Sequence, residues 1–196
     1  MPRYWYARLE VPVATILDIR GTHGSGKSYI MHSLIALGAS SIEQQGEHLG
    51  HHVRRLRCGI LGSYERVCGG CDGIKTADEV VRRVRLFARV YQRVALEGIL
   101  VAHTFKRYNA LAVEMTEAGH RYVFAFLDTP LNECVRRVRH RRAEAGNGKP
   151  LDPSNVVRDW HRIWERLRPE AQQAGREVVV LNHRDPLPQV LELLNA

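Results

Sequence analysis

Gly21-Thr22-His23-Gly24-Ser25-Gly26-Lys27-Ser28 decides how the rest of this 196-residue chain is read. The octet fits G-x-x-x-x-G-K-[ST], with Gly21, Gly26, Lys27 and Ser28 at the fixed positions. Glycines let a backbone wrap around phosphate oxygens, and successive N–H groups at a helix N-terminus bind the anion. Lys27 is placed to reach β- and γ-phosphates, and the Ser28 hydroxyl to ligate a Mg²⁺ that bridges them.

Such a P-loop needs a strand before it and a helix after it, and both are legible. Val13–Ile19 predicts the first strand, and a short helix follows to about Leu37, closed by Gly38. Working outward, apolar runs alternate with helical patterns, the mark of a parallel α/β sheet with helices on both faces. Residues 39–52 read as a loop or edge excursion, and Arg57–Leu61 as a weak strand. Thr76-Ala77-Asp78-Glu79 is a capping box that opens a helix. On that helix Val80, Val84, Phe87 and Tyr91 recur at helical spacing, and Arg82, Arg85, Arg89 and Arg93 line the opposite face. Val94–Glu97 is a strand ending in a carboxylate, and a helix runs from about Arg107 to Ala118. Tyr122–Leu127 is the strongest strand. A helix begins at Leu131, another runs from about Pro153 to Ala174, and Val178–Leu181 and Pro186–Leu194 form the last strand and helix. No repeat and no linker interrupts the chain, so residues 1–196 read as one domain. The expected fold class is α/β, a three-layer P-loop NTPase fold with a central, mostly parallel sheet.

Composition sets the outer bounds. The chain is 44% hydrophobic and 26% charged, which excludes a disordered or fibrous protein. No run reaches the ~20 apolar residues of a membrane span, and MPRYWYARLEVP lacks a signal peptide's apolar core. A soluble cytoplasmic protein with no membrane partner is expected. The net charge of +8 rests on 25 arginines and four lysines. It favours a polyanionic partner, nucleic acid or a phosphorylated ligand, unless codon bias alone supplies the arginine. Arg82–Arg93, which also reads as a solvated helix face, and the group Arg54, Arg55 and Arg57 carry the case for nucleic acid. Cys68-Gly-Gly-Cys71 could bind zinc only with Cys58 and His51 or His52, the alternative being a glycine turn that holds two thiols.

A P-loop also calls for a carboxylate near the metal at the end of a neighbouring strand. Glu97 is the first candidate and Asp128 the second, while Asp18, inside the first strand, reads as structural.

Three features together resemble the small P-loop kinases of the nucleotide, nucleoside, shikimate and polynucleotide kinase group. They are GTHGSGKS; Leu127-Asp128-Thr129-Pro130 followed by Glu133, Arg137 and Arg141; and Val180-Leu181-Asn182-His183-Arg184-Asp185-Pro186. The resemblance implies a kinase-type lid near 136–152, with Arg137 and Arg141, then Arg142, closing over the transferring phosphoryl group. It implies ATP as donor, held by Gly21, Gly24, Ser25 and Gly26, by Lys27, Ser28 and Tyr29 at the helix start, and by Arg184 beside the adenine. Ser28 and Glu97 would hold Mg²⁺. Residues 62–76 lie where that group keeps its acceptor. There Asp72 could take the acceptor's proton as general base or simply form a turn before Gly73. Tyr64, Lys75 and His103 are assigned to the acceptor. Gly69-Gly70-Cys71-Asp72-Gly73-Ile74-Lys75-Thr76 further resembles phage-encoded P-loop kinases, among them enzymes of hydroxymethyluracil in DNA, and would place the chain in a host cytoplasm.

Three activities follow. The first is a kinase of a hydroxyl on nucleic acid, most specifically hydroxymethyluracil in DNA. The second is a kinase of a free deoxynucleoside monophosphate, with Arg66, Arg82 or Arg107 clamping the acceptor phosphate. The third is a nucleotide-dependent binding module.

Overall fold

A computed structural model describes residues 13–65, 69–146 and 150–196. Arg66, Cys68, residues 147–149 of the expected lid and the MPRYWYARLEVP segment therefore lie outside the described residues.

One seven-stranded sheet has the order β2-β3-β4-β5-β1-β6-β7. The strands are β1 (Thr15–Arg20), β2 (Ala39–Gln44), β3 (Glu47–Val53), β4 (Cys58–Leu61), β5 (Arg93–Glu97), β6 (Arg121–Leu127) and β7 (Glu177–Leu181). From β4 to β7 all neighbours are parallel. β2 and β3 are antiparallel and finish one edge. The stretch expected to be a loop or edge excursion is thus an edge hairpin, turned at Gln45 and Gly46, whose φ angles are 53° and 77°. Two positive φ angles in succession are what a two-residue turn of primed type needs.

Alternation along the strands sorts the core onto two faces. Ile16, Val94, Leu96, Phe124 and Phe126 pack under α2 (Ala77–Val90), α3 (Ile99–His103) and α4 (Phe105–Glu117). Leu17, Ile19, Ala95, Val123 and Ala125 face α1 (Lys27–Ile35) and α8 (Pro186–Asn195). The arrangement is three-layered, as expected. A smaller cluster of Cys134, Val138 and Val156 joins α5 (Leu131–Glu144) to α6 (Ser154–His161). The helix expected over Pro153–Ala174 is α6, a π-helical stretch at Arg162–Leu167 and α7 (Arg168–Gln173). Pro169, which has no N–H to give the preceding turn, sits where the π stretch ends. Among the described residues, no helix is long and apolar enough to cross a membrane.

One reading of α2 is corrected and another sharpened. Thr76 does cap it, its Oγ1 accepting the Glu79 N–H at 3.1 Å. Glu79 does not complete the box, because its carboxylate takes the guanidinium groups of Arg82 and Arg83 instead. The arginine stripe is solvated, as one reading had it, but most of it is already paired. Arg82 is bound to Glu79, Arg85 to Glu114, and Arg93 lies beyond the helix, donating to the carbonyls of Leu56 and Leu194. The zinc reading fails on topology. Cys58 and Cys71 are buried in the cores on opposite faces of the sheet, and no metal-ligating cluster occurs among the described residues.

Candidate active site

β1 is the point where strand order reverses, and the loop that leaves it opens at the C-terminal edge of the sheet. In α/β sheets that crevice is where ligands bind. The octet forms this loop. Gly24 and Gly26 take φ of 77° and 107°, the left-handed region. A Cβ on Gly24 would lie 2.4 Å from the Cys134 carbonyl oxygen. Gly26 is the N-cap of α1 and offers no side chain there, which leaves the first-turn N–H groups facing the loop. Ser25 Oγ is buried without a hydrogen-bond partner.

Lys27 is buried and donates from Nζ to the carbonyls of Gly21 and Thr22, at 2.9 and 3.1 Å. Burial pushes its ammonium below the ordinary lysine range, against the pull of Glu97 and Asp72. Ser28 Oγ donates to Glu97 Oε1 at 3.0 Å. Glu97 reaches it because β5 lies directly beside β1, with Glu97 in register with Ile19. Burial raises the Glu97 carboxyl above its usual range, while Lys27 and the Ser28 bond oppose that rise.

Asp128, the second carboxylate candidate, is committed elsewhere. Its Oδ1 takes both the backbone N–H and the ring Nδ1 of His183, each at 2.7 Å, and so fixes the loop between β7 and α8. Asp18 is structural, as expected: it is wholly buried against Arg20 at 2.7 Å, and Tyr122 donates to it. Arg20 directly precedes the P-loop and donates to the Ala102 carbonyl in α3.

A cavity of about 490 Å³ opens over the loop, and Lys27, Ser28, Asp72, Glu97, Arg137 and Arg141 line it. Gly24, Ser25, Gly26, Tyr29 and Arg184 share its wall. Gly21 enters only through the carbonyl that Lys27 binds. Arg137 is held by Glu133 at 2.7 Å and reaches to 3.3 Å from the Ser25 carbonyl. Asp72 accepts the N–H groups of Ile99 and Leu100, at 2.8 and 3.1 Å, so it caps α3 while facing the cavity. Gly70 lies so close to Glu97 that a Cβ there would meet its Oε1 at 2.8 Å and the Tyr64 hydroxyl at 2.9 Å.

A second cavity of about 430 Å³ shares Ser28, Gly69 and Arg141 with the first, and adds His32, Tyr64 and Glu144. Lys75 is exposed before α2 and lines neither of these two cavities. His103 lines neither; it ends α3 with Nε2 3.6 Å from Asp159. Burial lowers its imidazole pKa.

Sequence reasoning missed two supports of the loop. Thr129 Oγ1, buried, donates to the Ser25 carbonyl at 2.7 Å, and Trp160 Nε1 donates to the Thr129 carbonyl at 2.9 Å. Thr129 could have been flagged by its place directly after the strongest strand. Trp160 lies 31 residues further on, and no local pattern announces it.

A three-layer sheet with this loop at its switch point, a buried lysine and a serine–carboxylate pair defines a P-loop phosphotransferase. Comparison with known proteins agrees. The chain is 32% identical over 189 residues to the 5-hmdU DNA kinase of Pseudomonas phage PaMx11, covering 92% of this chain and 97% of that one. It is 29% identical over 195 residues to the 5-hmdU DNA kinase of Delftia phage PhiW-14, covering 92% and 72%. It is 27% identical over 173 residues to the 5-hmdU DNA kinase of Pseudomonas phage M6, covering 83% and 88%. No protein-family model matches the chain. The chain belongs to the 5-hmdU DNA kinase family.

Proposed function

We propose that this protein transfers the γ-phosphate of ATP to the hydroxymethyl group of hydroxymethyluracil in DNA. The Ser28–Glu97 contact, in one cavity with Lys27, Asp72, Arg137 and Arg141, carries the chemistry. The relatives' names carry the acceptor. The expected single-domain chain and its lid belong to the same proposal.

The residues suit the donor and its metal. Loop N–H groups and the start of α1 can donate to phosphate oxygens, and Lys27 can turn from its carbonyl partners to the β- and γ-phosphates. A hydroxyl and a carboxylate 3.0 Å apart fit Mg²⁺, which binds few protein oxygens and keeps waters and phosphates in its shell. When bound, Mg²⁺ neutralises charge on the phosphates. Arg137 and Arg141 face charge that spreads over the transferring group. The acceptor oxygen bonds to the γ-phosphorus, the bond to the β–γ bridging oxygen breaks, ADP leaves, and Asp72 takes the hydroxyl proton.

A free nucleotide acceptor would require an arginine clamp on its phosphate. Arg82 and Arg107 line neither cavity and are bound to Glu79 and Asp78, and Arg66 lies outside the described residues. The binding-module reading has no support from relatives named as kinases.

Labelled ATP incubated with duplex DNA bearing hydroxymethyluracil tests the proposal. Label should pass to that DNA, not to thymine DNA, and Lys27→Ala should abolish transfer while the protein stays folded by circular dichroism. Transfer to the free monophosphate with none to DNA would overturn it.

A further inference from the structure

We propose that the second cavity is the pocket for the acceptor pyrimidine, extruded from the DNA stack, and that His32, Tyr64 and Glu144 select it. The inference rests on the kinase reading above and says where, and in what form, the acceptor enters.

Position comes first. Ser28, Gly69 and Arg141 form the shared wall of the two cavities, so a group seated in the second stands beside the serine and arginine of the first. A hydroxyl on that group meets a phosphate on the loop at this boundary. The residues that the second cavity adds are not needed for the donor: His32, Tyr64 and Glu144 are absent from the wall of the first.

Size and chemistry come next. About 430 Å³ accommodates one pyrimidine nucleoside, not a paired duplex. A base inside a duplex cannot approach Ser28 without leaving its stack, and enzymes that act on bases extrude them. His32 and Tyr64 supply an aromatic wall, with ring centroids 5.6 Å apart and planes at 78°. Aromatic side chains stack on any base face. The Tyr64 hydroxyl is buried, and the residue is only 6% exposed, yet that oxygen has no hydrogen-bond partner. That hydroxyl sits beside Gly70 and Glu97.

Charge separates DNA from a free nucleotide. Arg141 is the one cationic residue on the second cavity's described wall, and Glu144 stands one helical turn after it. A free monophosphate would bring a dianion toward the Glu144 carboxylate. In DNA the phosphates are diesters that stay with the strand outside the pocket.

The test uses the full chain and duplex DNA with one hydroxymethyluracil beside 2-aminopurine, whose fluorescence rises when its neighbour unstacks. Binding should raise that fluorescence. A mismatched hydroxymethyluracil, cheaper to extrude, should have a lower KM than a paired one. His32→Ala, at an exposed site on α1, should raise KM for DNA about tenfold with KM for ATP unchanged. Ala145→Trp, which fills the cavity from the lid side, should have the same signature. Glu144→Gln should reduce the preference for DNA over the free hydroxymethyl monophosphate. The proposal is overturned if wild-type protein phosphorylates the DNA but both His32→Ala and Ala145→Trp leave its KM unchanged. Absence of transfer to the DNA by wild-type protein would instead overturn the kinase reading and this pocket with it.

Discussion

The carboxylate of Asp72 accepts two backbone N–H groups at the start of α3 and also faces the phosphate cavity, so a cap and a general base compete as its role. Substitution separates them, because Asn keeps one of the two acceptor oxygens of this cap but cannot accept a proton. Asp72→Asn should keep ATP binding and lose only part of the cap's stability, and lose at least ~10²-fold in kcat. Asp72→Ala should lose both, with about 1 kcal/mol of stability gone with the cap. Unchanged kcat in Asp72→Asn would leave only the cap. Glu97 gives a pH signature. Its carboxyl must be ionised to accept from Ser28 and to attract a cation, and burial raises its pKa. Protonation therefore begins at a higher pH than for an ordinary glutamate, and kcat/KM should fall as pH drops through that raised value. The residual activity of Glu97→Gln should lack this acid limb, which parallel pH–rate profiles would show.

Helix α2 shows how an element can mislead when only its pattern is seen. Its apolar face is where the spacing put it, with Val80, Val84 and Phe87 in the core. Its arginines read as a solvated face or a DNA contact, because sequence shows spacing and not partners. Arg82 is tied to Glu79 one turn away, and Arg85 to Glu114 on α4. Exposed pairs like these contribute at most about 1 kcal/mol each, but they occupy the guanidinium groups. Arg82→Ala with Arg85→Ala should therefore leave KM for DNA and its salt dependence unchanged. A KM rise of tenfold or more, measured at two salt concentrations, would restore the stripe as a DNA contact. The β2–β3 hairpin was foreseen only as a loop or edge excursion, not as two strands, for a related reason. Gln45-Gly46 turns it, and glutamine is not among the residues that announce such turns. Its strands are polar because they finish a sheet edge instead of crossing the core.

Over the whole molecule, the sequence made legible whatever depends on a single segment. The P-loop and the strand ending at Glu97 were readable because short-range spacing sets them, and the loop carrying Arg184 because it resembles the adenine-side loop of the small P-loop kinases. Thr129 under Ser25, Trp160 under Thr129 and His183 on Asp128 were not, because they join segments that only the folded chain brings together. The same distinction governs the +8 charge. Parallel strands give the sheet one functional edge, at the C-terminal ends where Ile19 and Glu97 stand side by side. Arg54, Arg55 and Arg57 precede β4, whose first residue, Cys58, is in register with Arg93 at the start of β5. They therefore lie at the opposite edge of the sheet from Ser28 and the two cavities. Counted in bulk, their charge argues for DNA; placed in the fold, it is a strand's length from the acceptor. Each phosphate contact adds about 0.9 to the slope of log K against log salt. If these three arginines touched DNA, the variant carrying Arg54→Ala, Arg55→Ala and Arg57→Ala would lose nearly three units of slope. The fold predicts that its slope and its KM for DNA match wild type, whereas Arg141→Ala, at the boundary of the two cavities, should cut kcat sharply. Salt titrations of DNA binding across these variants decide it, and a slope lower by about two units or more in the triple variant would mean that DNA extends across the far edge of the sheet.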